Sequence, residues 1–142
     1  MQKYTFWRIV SGFMSAYHLI YGAILMASGE VAIRLAKQVG GATIEGTPSI
    51  GIVGEILACY AMTYGVLLAM VTYNPSKYWR MIPGLLSLIV FSLFRGIVFS
   101  GKTIAVWQME PVRHWLYSGF VALLGILLFL FWWRLRKDMA GS

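Results

Sequence analysis

A chain of 142 residues that is 59% hydrophobic and only 12% charged, with a mean hydropathy of +0.72, lies far outside the composition of soluble domains. Its net charge of +7 comes without any basic run long enough to track a phosphate backbone, so nucleic acid is not an expected partner. The single cysteine, Cys59, excludes an internal disulfide and any CxxC redox or zinc motif. An integral membrane protein is left.

Four stretches, residues 9–28, 52–73, 81–100 and 114–133, each approach the ~20 residues needed to cross a hydrocarbon core. With loops this short they make one membrane domain, residues 1–142. The expected fold is all-α: an antiparallel bundle of four transmembrane helices, with a short outer amphipathic helix between spans one and two. Lys3, Arg8, Lys77, Arg80, Arg134, Arg136 and Lys137 gather on one side. Arg34, Lys37, Lys102 and Arg113 on the other are offset by Glu30, Glu45 and Glu110. The positive-inside rule then puts both termini in the cytoplasm of a bacterial-type inner membrane.

The first apolar run is read as a span and not a signal peptide ending at Ala27, Ser28 and Gly29, because it is long and contains Tyr17, His18 and Tyr21. Ser11, Ser15, His18 and Gly22 recur along it at helical spacing, so they share one face. Small and hydroxyl residues there predict helix packing. His18 has three open roles: a satisfied structural histidine, a proton or polar-cavity group, or a metal ligand. The last is disfavoured. The only other histidine, His114, falls roughly 3 Å below the outer face, whereas His18 falls roughly 15 Å below it, so no matched axial pair exists and no metal site is assigned.

Residues 30–39 read as the amphipathic helix, ending at Gly40 and Gly41 and lying along the outer interface as a connector or a lid. Span two opens with a small-residue stripe, Gly51, Gly54, Ala58, Ala61 and Gly65, that predicts a packing seam. Beside it sits Glu55, above Cys59, Met62 and Val66. Asn74, Pro75 and Ser76 form the turn to span three, with Tyr73, Tyr78 and Trp79 as headgroup anchors. In span three Arg95 shares a face with Gly84, Leu88, Phe91, Ser92 and Phe99. By helical rise Glu55 lies roughly 5 Å and Arg95 roughly 8 Å inside the same membrane face, a depth match that predicts a paired or water-bridged site. The alternative is that Arg95 snorkels to the headgroups. After Gly101 a polar loop with Trp107 and Pro111 leads to span four, which ends in aromatic residues and the basic Arg134 to Lys137 cluster.

An arginine-flanked first span, a loop with Gly46, Thr47 and Pro48, and Glu55 opening a span that continues through Gly65, Val66, Leu67 and Leu68 together resemble the DoxX-like superfamily of small four-helix membrane proteins. In its uncharacterised branches an acid heads span two and an arginine lies late in span three, the positions of Glu55 and Arg95. The resemblance implies a membrane component of redox or sulfur metabolism, quinone-linked or associated with an oxidoreductase. The four-span glutathione-using eicosanoid enzymes do not fit, because their second-span asparagine and arginine motif is absent and Asn74 is the only asparagine.

Two functional readings follow. In the first the chain is an accessory or scaffold subunit of a larger membrane complex, a partner protein or a homo-oligomer, with Glu55 and Arg95 fixing helix register. In the second His18, Ser11 and Ser15 join Glu55 and Arg95 around an outward-facing pocket for a quinone-like or amphipathic ligand. A multidrug-type transporter ranks third, since its membrane acid would not be neutralised by an arginine. No catalytic residue and no cofactor is assigned.

Overall fold

The computed structural model describes residues 4–27, 29–41 and 48–140. Lys3, Ser28, Glu45, Gly46 and Thr47 lie outside the described residues. The chain runs α1 (Thr5–Ala27), α2 (Gly29–Gly40), α3 (Pro48–Tyr73), α4 (Pro75–Tyr78), a 3₁₀ turn (Trp79–Met81), α5 (Ile82–Val98), α6 (Ser100–Trp107) and α7 (Pro111–Ala140).

Proline placement accounts for much of this punctuation. All four prolines, Pro48, Pro75, Pro83 and Pro111, stand at the first or second position of a helix, where the missing amide costs least. None falls in the interior of α1, α3, α5 or α7. Asn74 is the single residue between α3 and α4, and its side chain accepts a bond from the Lys77 amide at 3.2 Å. Such a cap satisfies a donor that the first helical turn would otherwise leave open. Helix α2 ends at Gly40, and Gly41 follows with φ +64°, the left-handed conformation that glycine adopts at no steric cost.

Four helical stretches are long and apolar enough to cross a membrane: Thr5–Ala27, Gly51–Tyr73, Pro75–Val98 and Pro111–Ala140. The shortest has 23 residues, roughly 35 Å at the helical rise, against a core of about 30 Å. The segment after Gly101, expected as a polar loop, is helical as α6 through Trp107. The helix ends at Gln108, whose left-handed backbone (φ 48°) breaks it. Helix α7 carries on to Ala140, past the expected end at residue 133, because Leu135 is buried and nothing in Arg134 to Lys137 opposes a helix.

The most extensive contact is between α1 and α3, followed by α5 with α7, while α3 touches α5 and α1 touches α7 only slightly. The main core lies at the end that holds Asn74 and the basic tail, here called the basic end. Met14, Tyr64, Leu68, Val71, Ile82, Leu85, Ile89, Leu128, Phe131 and Leu135 are buried there. Trp7 stacks on Phe131 at 5.6 Å between ring centroids, joining α1 to α7. Towards the opposite end, the loop end, the second cluster is only Leu25 with Ala58.

The α3 face that carries Tyr64, Leu68 and Val71 continues upward through Tyr60, Leu57 and Val53. Those three are 69%, 48% and 44% exposed. Helix α3 thus parts from α5 above Tyr64.

Candidate functional site

Each candidate residue is best placed by asking which helix face it occupies. Ser11 and Ser15 are buried in the α1–α3 seam. The Ser15 hydroxyl donates to the Gly65 carbonyl at 2.8 Å, and the Ser11 hydroxyl donates to the Trp7 carbonyl at 2.9 Å. Thr72 Oγ1 lies 2.8 Å from both the Leu68 carbonyl and Ser11 Oγ, either of which accepts from it. Glycines bring the backbones this close. A Cβ on Gly22 would sit 2.6 Å from Met62 Cγ and 3.0 Å from the Ala58 carbonyl oxygen, and one on Gly65 would sit 2.8 Å from Leu19 Cγ. The hydroxyls therefore act in helix pairing.

His18 is half-buried at the upper edge of the main core. Its Nδ1–H donates to the Met14 carbonyl at 2.7 Å, a role fixed by the partner being an acceptor only, and its ring lies 4.6 Å from the Tyr64 ring. His114, on α7, is buried and donates from Nε2 to the Gly96 carbonyl at 3.0 Å. Both imidazoles therefore spend one N–H on a neighbouring carbonyl. Among the described residues no group of three or more His, Cys, Asp or Glu side chains is placed to hold a metal ion.

Glu55 and Arg95 both have exposed side chains. A cross-helix bond sets their relative level: the Tyr64 hydroxyl donates to the Leu85 carbonyl at 3.3 Å, tying α3 to α5. From that tie Glu55 lies roughly 14 Å up α3 and Arg95 roughly 15 Å up α5, by helical rise. Direction is a separate matter. Glu55 is about two and a half turns from Tyr64, hence on the side of α3 facing away from α5. Arg95 is about half a turn from Leu93, which packs against the core, hence on the outward side of α5. The two ion pairs between described residues are Arg113 with Glu110 at 2.9 Å and Arg134 with Asp138 at 3.6 Å; neither includes Glu55 or Arg95.

Three further polar residues, read in the sequence only as topology charges or not singled out, hold the helices together. Arg8 donates to the Thr72 carbonyl at 2.8 Å and the Tyr73 carbonyl at 3.0 Å, satisfying carbonyls left open at the end of α3. Arg113 donates to Glu110 and, through Nη1, to the Gln38 carbonyl at 2.9 Å, joining the end of α2 to the start of α7. Tyr4 donates to Asp138 Oδ2 at 2.8 Å across the basic end. The Glu110 and Arg113 spacing was a visible signal, whereas nothing in the sequence pairs Arg8 with Thr72 or Tyr4 with Asp138.

No protein-family model, curated protein or solved structure matches this chain. The chain is a helical membrane protein with four spans packed together.

Proposed function

We propose that the chain is a non-catalytic accessory or scaffold subunit of a larger membrane assembly, a role akin to that of DoxX-like subunits, and that Glu55 and Arg95 are its assembly contacts. One observation supports this reading above all: each residue carries an exposed charge on a membrane-spanning segment, and neither has an ion-pair partner among the described residues. Charged groups in a span are costly when they face lipid, so they face protein or water. The interior of this bundle does not receive them; of the two remaining environments, headgroup water and the surface of a neighbour, this reading assigns the neighbour.

In this reading α2 is an interfacial connector, fastened to α7 by Arg113. Both termini and the Asn74 turn face the cytoplasm. Impermeant thiol reagents applied to sealed cells should then label Lys37→Cys and Lys102→Cys but not Lys77→Cys, and the reverse pattern inverts the topology.

The assembly reading is tested by purifying a tagged chain in mild detergent and measuring the mass of the particle it enters, for wild type and for Glu55→Gln and Arg95→Gln. A defined assembly that both substitutions dissolve supports it. A wild-type particle of one chain holding a bound quinone or chromophore supports instead the pocket reading, in which His18 stands below the gap where α3 parts from α5.

A further inference from the structure

We propose that the neighbour is a second copy of this chain, arranged head to tail, so that the outward face of α3 carrying Glu55 in one copy meets the outward face of α5 carrying Arg95 in the next. This rests on the assembly reading above and names its partner. The argument is one of charge and level. One chain presents an acid and a base, each exposed on a membrane-spanning segment, at heights that agree to within about one helical turn when measured from the Tyr64 to Leu85 tie. Opposite charges at matching depth on different faces of one molecule are complementary between copies without any vertical shift.

Pairing within a copy is opposed by azimuth. Glu55 faces away from the side of α3 that Tyr64 turns to α5, so a bridge to Arg95 would have to cross around the helix. Because the two faces belong to different helices, the contact is heterologous, and copies joined this way form closed rings when the rotation permits. The surfaces around the charges suit such a contact. Cys59 and Val66 flank Glu55 on α3, and Leu88, Phe91 and Phe99 flank Arg95 on α5; all five are exposed. Burying the charges together would offset much of the penalty each incurs against lipid, and it specifies which faces meet.

A charge exchange between copies separates this from every pairing inside one chain. Glu55→Arg makes a chain with two bases, and Arg95→Glu makes a chain with two acids. In nanodiscs or mild detergent each variant alone should lose self-association by about a hundredfold or more, through like charges at the contact. Co-expressed with different tags, the two variants should associate with each other, since every contact between unlike copies then joins an acid to a base. A pair formed within one chain gains nothing from mixing, because each variant keeps its own like charges whatever surrounds it. Wild-type protein that runs as a single chain, or variants that fail to associate when mixed, would overturn the proposal.

Should either variant fail to fold, Phe91→Cys supplies the decision with both charges intact. Its level, roughly 9 Å above the tie, is close to that of the native Cys59, at roughly 8 Å. Oxidation should give covalent dimers or larger species that disappear when Cys59→Ala is added; monomer only would overturn the proposal. A different protein found at fixed stoichiometry, and lost in both charge variants while mixing restores nothing, would retain the assembly reading and discard the second copy.

Discussion

The α1–α3 pair and the α5–α7 pair differ in a way that runs against hydropathy. Over an 18-residue apolar stretch of each span, mean hydropathy is 1.5 and 1.7 for the first two and 2.0 and 2.1 for the last two, yet 28% and 33% of those stretches are buried in the former against 11% and 17% in the latter. The less apolar helices pack more closely. In lipid, apolarity supplies no attraction between helices, and close approach depends on small residues and shared hydrogen bonds. The first pair has Gly22, Gly65, Ser15 and the Arg8 clasp on the α3 terminus. The second has Gly125 against Ile89, and the bond from His114 to Gly96.

The largest expected effect comes from filling the tight seam. Gly22→Val places carbon against the Ala58 carbonyl and the Met62 amide, both backbone atoms that cannot yield, and should destabilise the protein by about 3 kcal/mol in reversible unfolding from detergent. Next, Arg8→Met removes two bonds from a charged donor to the end of α3 and should cost about 2 kcal/mol by the same measurement. Ser15→Ala, which leaves the Gly65 carbonyl within its own helix, should cost about 1 kcal/mol.

Gly125→Ala tests the other side of the contrast. Its Cβ would meet Ile89 Cγ2 at 2.9 Å, a branch methyl that a helix holds in place, but no backbone atom, so a loss of about 1 kcal/mol is expected, below that of the Gly22 seam. If Gly125→Ala proves as damaging as Gly22→Ala, the two seams are equivalent and the distinction between the pairs fails.

The smallest effect concerns a bond that crosses from one pair to the other. Burial first, and then the Asp138 carboxylate that accepts its hydrogen bond, push the Tyr4 hydroxyl above its usual value of 10.0. The folded state thus holds this proton more tightly than the unfolded chain does. Its contribution is complete below pH 10.0 and is lost as pH rises through the raised value. Tyr4→Phe should lower stability slightly at neutral pH and reduce the alkaline loss, measured by melting across pH 9 to 11.5, roughly the range over which phenols ionise.

Four spans were legible because apolar length is a one-dimensional property, and so were the packing faces of α1 and α3, since small residues repeat at helical spacing on each; that these two faces meet was not. The expected depths of Glu55 and Arg95 rest on the same one-dimensional count. Their directions were not. A helix wheel gives the angle between two residues on one helix, but no count along the chain says how α3 and α5 are rotated about their own axes. The bond from Tyr64 to Leu85 supplies that rotation for α3. Arg8 read only as a topology charge and Tyr64 was not singled out as a cross-helix donor, because neither residue's partner is nearby in sequence.

The lone residue Asn74 between α3 and α4 bears on how the protein enters its bilayer. A linker that short cannot leave one span inserted while the next waits in water at any distance. Spans two and three are therefore coupled as they enter lipid, each satisfying its own backbone within its helix. Lys77 and Arg80 at the closed tip resist passage through the hydrocarbon, so the tip stays on one side while the two helices settle.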